Sequence, residues 1–149
     1  MADHEYYMTI ALEQAKEASI AGEVPIGAVL VRDGKVIAAD RNRREELNDA
    51  TAHAEILVIR RAGELLGGWR IFGSTLYVTL EPCPMCAGAM VQARVDQLVF
   101  GAADPKGGAA GTLYDIVRDR RLNHRLEVTG GILEEECAAV LQQFFKDRR

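Results

Sequence analysis

Between Thr75 and Phe100 the chain reads as strand, helix, strand, and few architectures satisfy that order. Thr75-Leu76-Tyr77-Val78-Thr79-Leu80 is rich in β-branched, aromatic and apolar residues, as a buried strand is. The run Pro82-Cys83-Pro84-Met85-Cys86 follows at its end. Pro84 suits the first turn of a helix, and Ala87 to Ala93 continues it with good helix formers. Leu98-Val99-Phe100 is a strand again. Strands linked through a crossover helix lie parallel, so this stretch alone predicts an α/β sheet.

The flanking segments extend that layout. Met8, Ala11, Leu12, Ala15, Ala18 and Ser19 recur at helical spacing, with Gly22 as a stop signal. Ile26 to Val31 is a nearly continuous apolar run, joined through Asp33-Gly34 to Lys35-Val36-Ile37-Ala38-Ala39. That is a strong two-residue hairpin signal, so these two strands are antiparallel neighbours. Asp49 or Thr51 can cap a helix with Ala52, Ile56 and Ile59 on one face, ending before Gly67-Gly68. Downstream, Gly101 to Gly111 is a loop of small residues and Leu126 to Thr129 a short fifth strand. Cys137, Val140, Leu141, Phe144 and Phe145 mark a final helix, and this periodicity puts Phe145 in the core. The expectation is one three-layer α/β domain over residues 1–149, with a mixed five-stranded sheet flanked by helices.

Composition excludes more than it proposes. The apolar share of 48% and charged share of 27% are ordinary for a globular protein. The longest apolar stretch, Val24 to Val31, falls far short of the ~20 residues a membrane helix needs. Met1-Ala2-Asp3-His4-Glu5 lacks the basic start and apolar block of a secretory signal, which points to the cytoplasm and away from membranes. A net charge of −4 argues against nonspecific coating of nucleic acid, which needs many Lys and Arg contacts to phosphate. Basic residues are concentrated locally, from Arg118 to Arg125 and in Lys146-Asp147-Arg148-Arg149. Such runs are commonly just solvated faces.

Three cysteines are too few and too odd in number for a disulfide framework. Cys83 and Cys86 read instead as metal ligands, whereas Cys137 sits on the apolar stripe of the last helix. With His53, in Thr51-Ala52-His53-Ala54-Glu55, they make three zinc-type ligands. A structural zinc site closes with four protein ligands and a catalytic one leaves a position for water. Both cysteines fall where a strand hands over to a helix, near the positive end of its dipole, which favours thiolate. Glu55, about 200° around the helix from His53, is not a same-face ligand partner. In a first turn both can still face one pocket, with Glu55 left to move protons. Were the zinc only a staple, Glu55 or Glu81 would be its fourth ligand.

His-x-Glu followed by Pro-Cys-x-x-Cys resembles the signature of the zinc-dependent cytidine and adenosine deaminases. The likeness narrows further. Thr51 to Ile56, Leu76 to Cys83, Met85 to Met90, Val99 to Ala102, Lys106 with Gly108 to Gly111, and Asn123-His124-Arg125 resemble bacterial tRNA-specific adenosine deaminases. This resemblance runs from about Glu5 to Arg149. It implies a three-layer α/β/α cytidine deaminase-like fold, one Zn²⁺ per subunit and a homodimer. It also implies deamination of the wobble adenosine of a tRNA anticodon stem-loop to inosine, with Glu55 carrying protons.

The same resemblance implies a set of substrate contacts. Asn42 would hold the target nucleotide, Val24 and Leu80 would wall the base pocket, and the Ala54 backbone N–H would meet the base. Asp104 would accept from the 2′-hydroxyl, which DNA lacks. Lys106 would approach phosphate, and Phe145 and Arg148 would lie along the anticodon loop. Read without the resemblance, Asn42 and Asp104 are turn residues, Val24 and Leu80 core, and Lys106 a solvated lysine. Two rivals share the zinc site: a deaminase of a free base or nucleoside such as guanine or cytosine, and a non-catalytic zinc subunit. Asp104 and the basic segments argue against the first, and Glu55 against the second.

Overall fold

The computed structural model describes residues 3–148; Met1, Ala2 and Arg149 of the terminal segments read above lie outside that range. Helix α1 (Asp3–Ile20) precedes strands β1 (Gly27–Arg32) and β2 (Lys35–Arg41), then a one-turn helix α2 (Arg44–Leu47) and α3 (Ala54–Leu66). Strand β3 (Ser74–Leu80), helix α4 (Pro84–Ala93) and strand β4 (Gln97–Ala102) follow, and β5 (Glu127–Thr129) and α5 (Glu134–Asp147) complete the order. The sheet runs β2-β1-β3-β4-β5. β1 is antiparallel to β2 and β3, while β3, β4 and β5 are mutually parallel neighbours, as the crossover through α4 requires.

Alternation along the strands sorts side chains into two cores. Ala28, Leu30, Leu76, Val78 and Leu98 face α3 and α4, where they meet Ala54, Val58, Met90 and Val91. Val29, Val31, Tyr77 and Val99 face the other way, onto Met8, Ala11 and Leu12 of α1 and Cys137 of α5. The sheet is thus buried on both faces, which gives the expected α/β/α layering.

The hairpin follows its sequence signal closely. Asp33 and Gly34 both adopt positive φ, 53° and 73°, the backbone of the tight turn that matches strand twist. A short way from the turn the register slips between Leu30 and Val31, a bulge that adds an extra residue to β2.

Three local expectations are corrected. Helix α3 starts at Ala54, with His53 rather than Asp49 or Thr51 at the capping position, so Ala52 precedes the helix. Asp49 is engaged elsewhere: its carboxylate accepts from the Thr51 N–H at 2.9 Å and hydroxyl at 2.7 Å, closing a turn. Second, α2 is unforeseen. It is capped from a distance, the buried Glu23 carboxylate accepting from the N–H groups of Glu45 at 3.1 Å and Glu46 at 2.8 Å. Third, Phe145 is 49% exposed, because Cys137 and Phe144 form the buried stripe of α5 and Phe145 packs only edge-on against Phe144.

Candidate active site

His53 and Cys83 occupy equivalent places in two separate helices. Each is the residue immediately before a helix, α3 or α4, in extended backbone with φ −75° in both and ψ 152° and 172°. Cys86 lies in the first turn of α4 and is fully buried. The two helix starts bring His53 Nδ1 to 3.6 Å from Cys83 Sγ and 3.5 Å from Cys86 Sγ. A tetrahedral zinc with ordinary bond lengths sets its nitrogen and sulfur ligands about 3.6 Å apart. These three donors therefore fit such an ion, with Nδ1 as the ligating nitrogen, which the sequence did not specify. Among the described residues they are the cluster of His, Cys and acidic groups close enough to hold a metal.

The electrostatics of the trio fit the same use. The hydrogen bond from Cys86 and then that from His53 bring the Cys83 thiol down to about 4, against the opposing effect of burial. Cys86 is pushed up, first by its bond to Cys83 and then by burial. His53 is raised, chiefly by its bond to Cys83. The pull toward thiolate at Cys83 is what a divalent cation needs of a sulfur ligand.

A cavity of about 140 Å³ opens beside these donors, and His53 and Cys83 form part of its wall. Glu55, 4% exposed, also reaches it, and burial raises its carboxyl to about 7. Val24, Asn42, Ala54, Leu80 and Asp104 complete much of the lining. The chain segments that the resemblance singled out for the base and ribose therefore converge on one space. Ala54 opens α3, where first-turn N–H groups have no partner within the helix.

Two of these residues are held by their own local bonds. Asn42 donates from Nδ2 to the Val24 carbonyl at 3.3 Å, and its Oδ1 accepts from the Arg44 N–H at 3.1 Å. Asp104 Oδ1 accepts from the N–H groups of Lys106 at 3.0 Å and Gly107 at 3.3 Å. Asp104 is accordingly both a turn residue and a cavity residue, so its plain and functional readings do not compete.

Lys106, Phe145 and Arg148 are exposed and stand outside the cavity wall. Arg148 lies over the Phe144 ring, its guanidinium carbon 3.6 Å from the centroid. Much of the basic loop after Arg118 is tied internally: Arg118 pairs with Asp115 at 3.0 Å and Arg121 with Asp119 at 2.7 Å. His124 Nε2 bonds the Val95 carbonyl at 2.6 Å.

Two lining residues, Ile26 and Arg44, had escaped the sequence reading of the site, and a third, Glu81, had entered it only as a possible fourth metal ligand. Ile26 had read only as a strand residue, and Arg44 carries no pattern that marks it as a site residue. Glu81 is 2% exposed and faces the loop beyond β4, accepting from Asp104, Ala110 and Thr112. Its oxygens are engaged there, which removes it as a fourth metal ligand.

Residues 2–149 match the family of MafB19-like deaminases. A tRNA-specific adenosine deaminase of Bacillus subtilis (strain 168) is 55% identical over 149 residues, covering 100% of this chain and 92% of the relative. The fold is similar to a solved structure from a study of A-to-I editing by tRNA:A34 deaminases at the wobble position. That match has a TM-score of 0.88 and 51% identity, over 91% of this chain and 99% of the other. A guanine deaminase from Bacillus subtilis is similar at TM-score 0.66 and 40% identity, over 73% of this chain and 70% of its own. Near-full-length likeness of the first kind goes beyond a shared metal motif, and on it the chain belongs to the tRNA-specific adenosine deaminase family.

Proposed function

We propose that the protein hydrolytically deaminates the wobble adenosine of tRNA anticodons to inosine, as a zinc-dependent homodimer of one-domain subunits acting in the cytoplasm. The observation that carries this is the cluster of His53, Cys83 and Cys86 beside a cavity that a buried spare carboxylate, Glu55, also lines. Zinc, when bound, supplies the Lewis acidity that makes water a nucleophile near neutral pH.

Glu55 does the proton work. Burial holds its carboxyl near 7, so it can both take and give a proton at neutral pH. It receives one proton of the attacking water and passes it to the ring nitrogen beside C6, then takes the remaining proton of the added hydroxyl and delivers it to the departing amine. The C6–N bond breaks, ammonia leaves, and the oxygen remains on carbon as the inosine carbonyl. Asn42 and the Ala54 N–H orient the nucleotide, Val24 and Leu80 close on the base, and Asp104 accepts from the ribose 2′-hydroxyl. Lys106, Phe145 and Arg148, outside the cavity, meet the anticodon loop.

A free-base deaminase is the less favoured reading, because solved guanine deaminases match at 28% and 40% identity with TM-scores of 0.78 and 0.66, against 51% and 0.88 for the tRNA:A34 deaminase. No helix among the described residues is long and apolar enough to cross a membrane. The deciding experiment incubates zinc-loaded protein with an anticodon stem-loop carrying a wobble adenosine. Inosine should form, and Glu55→Gln should retain zinc while losing roughly 10²- to 10⁴-fold in rate. Inactivity on that RNA beside rapid turnover of free guanine or cytidine would sink the reading.

A further inference from the structure

Glu81 joins two parts of the site that the chain keeps apart. It lies between Leu80, a cavity wall, and Pro82-Cys83, the turn bearing a metal-type donor. Its carboxylate is buried, and both oxygens point away from His53, Cys83 and Cys86 into the loop of residues 104–112. Oε1 accepts from the Asp104 N–H at 3.0 Å and from the Thr112 hydroxyl. Oε2 accepts from the N–H groups of Ala110 at 3.0 Å and Thr112 at 3.1 Å. Gly108 lies so close that a Cβ there would collide with the carboxylate. A second tie runs beside it, from the Ala109 N–H to the Pro82 carbonyl at 2.8 Å.

We propose that Glu81 is a positioning residue that sets the preference for ribose by holding Asp104 at the cavity through this loop. The inference rests on the tRNA deaminase reading above. Glu81 stands outside the cluster of metal-type donors, and its oxygens are engaged by the loop, so it acts through the Asp104 backbone. Four donors converge on two oxygens, so an amide is a poor substitute. Whichever way a glutamine side chain turned at this position, two of the donors would face an NH₂ group instead of an acceptor.

The test compares wild type, Glu81→Gln, Asp104→Asn and the double variant on an RNA anticodon stem-loop and on the same sequence in DNA. Glu81→Gln should keep its zinc, lower kcat/KM on RNA about 10- to 100-fold, and bring the RNA-to-DNA ratio toward that of Asp104→Asn. In the double variant it should add less than about threefold to the loss, because both changes remove one arrangement. Hydrogen exchange should show lost protection at the amides of Asp104, Ala110 and Thr112. An unchanged RNA-to-DNA ratio, or an equal loss with and without Asp104→Asn, overturns the proposal. Should Glu81→Gln fail to fold, Thr112→Val decides; it removes one donor on an exposed residue and should shift the ratio in the same direction, less far. Wild type inactive on both nucleic acids would bring down the function itself. Active wild type with an unaltered ratio in the variants brings down only this inference.

Discussion

Asp104 illustrates how one side chain serves two purposes. One carboxylate oxygen closes the turn to Lys106 and Gly107, while the residue also lines the cavity. Asparagine can close the same turn, so Asp104→Asn isolates the charge from the loop shape. It should cut the RNA-over-DNA preference about tenfold, the size of one lost charge-assisted hydrogen bond. Parallel rate measurements on matched RNA and DNA loops check this, and an unaltered ratio would remove Asp104 from the ribose. At this scale, legibility in the sequence tracked chemical type. His53, Cys83, Cys86 and Glu55 stood out because few other uses explain them together. Asn42 and Asp104 were readable only through resemblance, since each also makes an ordinary turn. Glu23 carried no signal and Glu81 only that of a possible metal ligand, because their partners lie 22 to 31 positions away in sequence.

Among elements, the departures share a physical cause: a local rule was overridden by a distant contact. Arg44 to Leu47 are good helix formers but too few to hold a helix alone, and the first turn of α2 is satisfied by Glu23 from before β1. The apolar period in α5 put Phe145 inside, but the buried residues of the helix are Cys137, which packs on the sheet, and Phe144. That contact depends on Gly101 of β4, where a Cβ would run into the Cys137 side chain and come 2.8 Å from the Thr79 carbonyl. Gly101→Ala should therefore lift α5 from the sheet and destabilise the protein by about 1–3 kcal/mol, read as a lower urea midpoint. A midpoint unmoved by the extra methyl would mean that α5 does not pack this tightly. The strands and the crossover were legible because alternation and turn chemistry are local, as Asp33-Gly34 shows.

Across the whole molecule, the two-sided sheet buries a polar pair at the α1 face. Tyr77 is 3% exposed and its hydroxyl bonds His4 Nδ1 at 2.8 Å. Burial, reinforced by Tyr7 and Asp3, raises the phenol from 10.0 to about 12. The unfolded chain gives up that proton first, so the stabilisation is complete below pH 10 and is lost as pH rises to about 12. Tyr77→Phe should flatten this alkaline decline in a series of denaturation midpoints; a slope identical to wild type would place its source elsewhere. The fold class was legible from one strand-helix-strand run, whereas the antiparallel pairing of β1 with β3 was not, because no short connection joins them.

The two halves of the cavity are anchored by unlike means. His53 and Cys83 are placed by the backbone of two helix starts, but Asp104 rides on a loop gathered around one carboxylate. Over evolutionary time such a division separates what can drift from what cannot: the loop can lengthen, shorten or trade its acid, and a lineage can acquire a different base or sugar without disturbing the proton chemistry.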